Sequence, residues 1–290
     1  MGLTKRRRAV LSAIGLGALL AGAGVLAAEP AVQLPRHLVL GTYPSELPSE
    51  ELEKVKPIRS GLEKRLLAAG YKVDIDIQIL QSYEEAVQWL VAGKVDFARM
   101  GPVNYVLAKR QKPSLRLLAM ETQNGSRYLT GYVFVPANSP VRALGDLRGK
   151  TIAFGSPNST TGRYYPQAAL IEAGVSATDL AGFRYLQRHD KVFKGVGEGG
   201  FDAGASNEVT FAKYGVDRKF RIIHTMKSPA HAWVARSDLP AATSDMLVRA
   251  LLDLTPLELE GMSRDGVVAA SDADFDRVRQ VMKGAERFFE

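Results

Sequence analysis

The sequence predicts an α/β protein of two lobes, each a mainly parallel sheet flanked by helices, with a ligand cleft between them. Two observations carry the class. Short apolar or alternating runs take turns with helix-patterned segments, the order that places helices on both faces of parallel strands. This alternation occurs as two series, one from Leu38 and one from about Tyr132. The length left after the N-terminal segment, about 260 residues, suits two lobes or one large domain.

The chain opens with Lys5, Arg6, Arg7 and Arg8, an apolar run from Ala9 to Val25, and small residues at Ala27 and Ala28. That is the order of a cleavable export signal over residues 1–28, by the Sec or the Tat route. An uncleaved anchor is the competing reading, since the run approaches the roughly 20 residues that span a bilayer. Its Gly and Ala content and small-residue end argue against it. Next, Leu38 to Leu40 reads as a buried strand ending in Gly41-Thr42-Tyr43-Pro44, and Glu51 to Ala69 as a helix with Leu52, Val55, Ile58, Leu62, Leu66 and Leu67 at helical spacing. Val73 to Leu80 alternates as a strand, Ser82 and Glu85 form a capping box for a helix to Ala92, and Val95 to Met100 returns as a strand.

The second series places strands at Tyr132–Val135, Thr151–Phe154, Phe183–Leu186 and Phe201–Ala205, with helices over Gly162–Ala173 and Asp190–Val196 between them. Strands at Arg221–His224 and Ala232–Ala235 follow, then helices over Ser244–Leu254 and Asp274–Phe289. The last helices have no sheet of their own and are expected on the first lobe. The expected division is therefore 36–131 with 233–290, against 132–232, with crossings near Gly131 and His231.

Composition excludes several classes. The absence of cysteine removes both a disulfide framework and a lipid-attachment thiol, so the exported chain is expected to be freely soluble outside the cytoplasm. Net charge is +7, but residues 1–28 hold four basic and no acidic residues, which leaves 34 basic against 31 acidic. A balance of +3 does not argue for nucleic acid. His37, His189, His224 and His231 show no pair at zinc spacing, so no metal or cofactor is expected. Gly195 to Gly200 fits G-x-G-x-x-G but ends a helix and precedes a strand, the reverse of a dinucleotide site. No G-x-S-x-G elbow or P-loop appears. An exported hydrolase with scattered catalytic residues is a disfavoured alternative, and no enzyme is expected.

The richest stretch is GSPNSTTGRYYPQAALIEAG, from Gly155 to Gly174. An apolar strand feeds a loop crowded with Ser156, Asn158, Ser159, Thr160 and Thr161, and a helix follows at once. The first N–H groups of a helix lack internal partners and lie at the positive end of its dipole, so an oxyanion there satisfies both needs. Hydroxyls add further donors. The plain alternative is that Ser159 or Thr160 is only a helix cap. His189 could likewise only brace the helix that follows it, and Asp202 could only bond a turn. Tyr164 and Tyr165 are expected to pack inward.

Three segments resemble the phosphate/phosphite/phosphonate-binding periplasmic proteins of ABC importers, within the type II periplasmic binding protein class. They are VDFARMGPVNYVLA from Val95, the run YLTGYVFVPANSPVRALGDLRGKTIAFGSPNSTTGRYYPQAALIEAG from Tyr128, and RHDKVFKGVGEGGFDAGA from Arg188. The middle run is the specific one, with Thr161 in the third place of the family's S-T-S-G anion loop. By this resemblance Ser159, Thr160 and Thr161 grip a phosphorus oxyanion, His189 donates from a neighbouring loop, and Tyr43 and Tyr105 close over it from the other lobe. Glu208 would face a ligand amine, with Asp202 a further contact. The chain departs from the family at SPAHAWVAR, from Ser228, where relatives carry a proline-rich run. The implied protein is a monomeric periplasmic receptor serving an ABC permease in the inner membrane. The alternative is an exported oxyanion sensor that reports to a membrane histidine kinase.

Overall fold

In a computed structural model, which describes residues 34–45, 47–215 and 219–290, the first apolar run becomes strand β1 (His37–Thr42). The expected export signal lies outside the described residues. Leu38 and Leu40 are fully buried beneath helix α1 (Pro48–Ala68), which presents Val55, Ile58, Leu62 and Leu66 on one face. Strand β2 (Asp74–Ile79), helix α2 (Tyr83–Val91) and strand β3 (Phe97–Met100) follow. Ser82 caps α2 by accepting the Glu85 N–H at 3.0 Å. Helix α3 (Pro102–Gln111) and strand β4 (Arg116–Thr122) come next, two elements that periodicity did not single out.

The chain then changes sheet ahead of Gly131, because strand β5 (Tyr128–Pro136) already pairs at Tyr128 with strand β9 (Phe220–Pro229). Between them lie strand β6 (Thr151–Phe154), a helical turn at Thr160–Tyr164 that runs into α4 (Tyr165–Glu172), strand β7 (Gly182–Tyr185), helix α5 (His189–Gly197), strand β8 (Ala203–Asn207) and helix α6 (Glu208–Tyr214). The chain returns as strand β10 (Ala232–Ala235), helices α7 (Ala241–Leu252) and α8 (Pro256–Leu259), strand β11 (Gly266–Val268) and helix α9 (Asp276–Glu286).

Among the described residues the strands form two sheets, ordered β11-β4-β10-β3-β1-β2 and β7-β6-β8-β5-β9. Both are mixed. Strands joined by helices pair parallel, β1 with β2 and β3, and β6 with β7 and β8, as crossover connections require. Strand β10 enters the middle of the first sheet antiparallel to β3 and β4, and β5 lies antiparallel between β8 and β9. Trp233 of β10 is fully buried with Phe97 at 6.3 Å between ring centroids, and Phe134 stacks on Phe193 in the second lobe at 4.3 Å.

The expectation for the C-terminus is corrected in part. Helix α7 packs on α1 and β4 of the first lobe, but α9 lies against α4 and α3. Phe288 beyond it meets Phe154 and Phe183 edge-on at 5.7 and 5.5 Å. The cause is the apolar stripe Phe275, Val278, Val281, Met282, Ala285 and Phe288, which finds its cover on α3 of the first lobe and on α4 and the aromatic cluster of the second. The chain thus passes between the lobes three times, at 123–127, 230–231 and 269–275.

Candidate functional site

Ligands of open α/β sheets bind outside the carboxyl ends of the strands, and here β1, β3, β6, β7 and β8 all end toward one cavity between the lobes. Its volume is about 80 Å³. That is room for a few water-sized groups and far below the roughly 300–1,000 Å³ of sites for drug-sized molecules.

The loop after β6 begins helically at Thr160. Ser159 is the cap, its Oγ accepting the Gly162 N–H at 3.0 Å. The Tyr164 N–H reaches back five residues to the Ser159 carbonyl at 3.2 Å, a π-type turn. Pro166 explains the widening, because it has no N–H for the Gly162 carbonyl, which accepts from the Gly155 N–H at 2.8 Å instead. Thr160 and Thr161 supply the first N–H groups of this segment, which have no partner within a helix. Thr160 Oγ1 also accepts the Val103 N–H of α3 at 3.1 Å, across the cleft. Thr161 lies so close to β5 that a Cβ on Gly131 would stand 2.8 Å from its Cβ and Cγ2. Helices α3 and α5 also begin at the cavity without side-chain caps. Helix α6 begins there too, under an Asn207 cap, so four helix starts bring positive dipole ends to one small space.

Tyr43 closes the cavity from the first lobe. Its oxygen accepts from the Gly101 N–H at 2.5 Å and the Asn104 amide at 3.0 Å, which leaves its O–H hydrogen to be donated elsewhere. Burial pushes this hydroxyl up to about 12, so it stays protonated. The Tyr83 ring stands 4.3 Å from that of Tyr43, and its hydroxyl reaches Ser159.

His189 opens α5 with its N–H on the Ser45 carbonyl at 3.1 Å, another bond between lobes. Its ring is buried, which pushes it down to about 4; the neighbouring Asp190 and the Ala205 backbone oppose that shift. Nδ1 has no partner. Glu208 Oε1 accepts the Thr130 N–H at 3.0 Å while its side chain lines the cavity. Behind the cleft, Arg99 grips Glu121 with two bonds of 2.6 and 2.8 Å, and Arg264 reaches the same carboxylate at 3.1 Å. His231 stands 3.9 Å from Glu121; burial, and then Arg99 and Arg264, hold it well below the ordinary histidine range.

The structure thus brings together Tyr43, Ser159, Thr160, Thr161, His189 and Glu208. It does not bring Tyr105 or Asp202 to the cavity. Tyr105 donates to Asp272 Oδ1 at 2.6 Å and packs on Phe275 at 4.3 Å. Because α3 starts at Pro102, its first turn faces the cleft, and Tyr105 is rotated by about 100° from Asn104. Asp202 precedes β8 and accepts from the Thr151 N–H at 2.8 Å and hydroxyl at 2.9 Å, at the strand starts opposite the cleft. Sequence reasoning missed Tyr83, Glu51, Arg99, Arg264 and His231, all of which line the cavity. Among the described residues no group of three or more His, Cys, Asp or Glu side chains could hold a metal ion, and no helix is long and apolar enough to cross a membrane.

A family model for the ABC transporter phosphonate periplasmic substrate-binding protein matches residues 40–275. The phosphate-import protein PhnD of Mycolicibacterium smegmatis is 28% identical over 291 aligned positions, 87% of this chain and 88% of that protein. The structure of PhnD1 from Prochlorococcus marinus in complex with methylphosphonate is similar at a TM-score of 0.78 and 20% identity, covering 87% of this chain and 99% of the other. XAC2383 from Xanthomonas citri, bound to chloride ion, gives 0.74 at 23% identity, covering 88% and 99%. These two structures share the two-lobed fold of type II periplasmic binding proteins. With most of its length matched by the family model, the chain belongs to the periplasmic substrate-binding proteins of phosphonate-type ABC transporters, a family that serves import and not catalysis.

Proposed function

We propose that this protein captures a small phosphorus oxyanion and presents it, lobes closed, to an ABC permease of the inner membrane. The observation that carries the reading is the convergence of four helix starts and the hydroxyls of Tyr43, Ser159, Thr160 and Thr161 on one small cavity. Stripping water from an anion costs several kcal/mol, and fixed N–H and O–H donors offset that cost. The bonds Val103 to Thr160 and His189 to Ser45 belong to the closed arrangement, so ligand contacts and lobe contacts favour the same state.

A volume of about 80 Å³ favours phosphate, phosphite or methylphosphonate over ligands with an aminoalkyl chain. Export by a cleavable signal over residues 1–28 and a monomeric receptor complete the reading. A thermal-shift panel tests it. Phosphorus oxyanions are expected to raise the melting temperature, with about 2.7 kcal/mol of stabilisation at 100 times the dissociation constant. Sugars and amino acids are expected to leave it unchanged. Stabilisation by an uncharged solute alone would sink the assignment.

A further inference from the structure

Helix α1 brings to the cavity a carboxylate that the anion cradle does not use. Glu51, in the first turn of α1, is 5% exposed and lines the cavity. The Thr42 hydroxyl donates to its Oε1 at 2.6 Å, and no other described residue donates a hydrogen bond to it. Its second oxygen is therefore the acceptor left for a ligand. The charged and titratable groups around it come from several elements: Lys54 on α1, Arg99 on β3, Glu121 on β4, and the hydroxyls of Tyr43 and Tyr83. Arg264 and His231 stand behind, beside Glu121. By formal count, Arg99, Arg264 and Lys54 around the cavity bring three positive charges, which Glu121, Glu208 and an ionised Glu51 cancel. An oxyanion in so small a cavity then meets a carboxylate with no positive charge to spare. Two facing anionic oxygens do not both stay ionised at low cost; a proton shared between them turns repulsion into a charge-assisted hydrogen bond.

We infer that Glu51 is a specificity residue that shares one proton with the bound oxyanion, so that the closed complex favours ligands able to bring or retain that proton. The inference rests on the oxyanion reading above. Burial of Glu51, which raises its own affinity for a proton against the pull of Arg99, works in the same direction. Hydrogen phosphate brings a P–OH of its own. Methylphosphonate above its second ionisation must take a proton from solvent, so its affinity falls as pH rises. Sulfate has no proton to bring and is held weakly.

The test is calorimetric titration of the full chain with inorganic phosphate, methylphosphonate and sulfate at about pH 8.5 and 9.5, in two buffers of different ionisation heat. Methylphosphonate is expected to take up about one proton and lose about tenfold in affinity over that unit. Phosphate is expected to take up none and to bind at least about tenfold more tightly than sulfate. In Glu51→Gln the proton uptake should vanish and sulfate should gain on phosphate, because an amide can donate to an unprotonated oxygen. Equal pH slopes for phosphate and methylphosphonate in the unmutated chain would overturn the inference, and that comparison decides alone if the variant proves too unstable to titrate. Unchanged proton uptake in the variant would also overturn it and move the proton to another group of the cavity, Glu208 first. Failure of all three anions to bind would overturn the oxyanion reading as well, whereas binding with equal slopes removes only the role of Glu51.

Discussion

The Thr160 hydroxyl oxygen of one lobe accepts the Val103 N–H of the other at 3.1 Å. The oxygen is committed to the opposite lobe, so the hydroxyl hydrogen is left for the cavity, where a ligand oxygen can take it. Helix capping falls to Ser159, not to Thr160. Thr160→Ala should therefore weaken oxyanion binding by about tenfold to a hundredfold, since a bond to a charged group contributes roughly 1.5–3 kcal/mol. An unchanged dissociation constant would remove Thr160 from the cradle. Ser159→Ala should differ by also lowering apo stability by about 1 kcal/mol, as loss of a cap does.

Tyr43→Phe should cost both affinity and fold. The ligand loses a donor, and the Gly101 N–H and Asn104 amide lose their acceptor inside the protein. Leaving a buried donor unpaired costs about 1–3 kcal/mol. Chemical denaturation of the unliganded variant and titration with phosphate measure the two losses separately. A loss confined to affinity would show that the network behind Tyr43 re-pairs.

Acid should destabilise the unliganded protein through His189. Burial holds its folded value at about 4, below the ordinary 6.5 of the unfolded chain. The unfolded state thus binds the extra proton, so stability is full above pH 6.5 and declines as pH falls toward 4. The shift corresponds to about 3 kcal/mol at the acid end. His231, also depressed, adds in the same direction. His189→Gln should flatten part of the stability profile between those values; an unaltered profile would contradict a buried neutral histidine.

Glu208 has one oxygen on the Thr130 N–H and is among the residues that line the cavity. If it faces the organic end of a ligand, Glu208→Gln should weaken 2-aminoethylphosphonate and leave phosphite and methylphosphonate nearly untouched. Equal losses for the three in a competition assay would exclude that role.

The anion loop was legible because its chemistry is local: a strand end, a run of hydroxyls and a helix start lie within a few consecutive residues. Tyr105 was misplaced because a one-residue step along α3 turns a side chain by about 100°, and nothing in the sequence states which turn of α3 meets the cleft. Asp202 could have been excluded by strand direction, since it lies at the start of β8. Helix α3 escaped notice because Pro102 to Val106 are all buried, which erases the one-sided stripe that periodicity detects. Glu51, Arg99 and Arg264 lie far apart in the chain, on α1, on β3 and in the loop before β11. No local pattern joins them, and only the folded first lobe brings them to one cavity. The stripe on α9 was visible, but the surface that covers it was not.

The three passages of the chain between lobes make the order of synthesis and the order in space disagree. Strand β10, which fills the middle of the first sheet, is made only after the β5–β9 sheet of the second lobe, and Phe288, which covers Phe154 and Phe183, comes later still. Each lobe therefore waits on residues that lie beyond the other, and neither is a self-sufficient folding unit. Heat should consequently melt the two sheets in one transition, and an N-terminal fragment ending before β10 should gain no ordered core of its own.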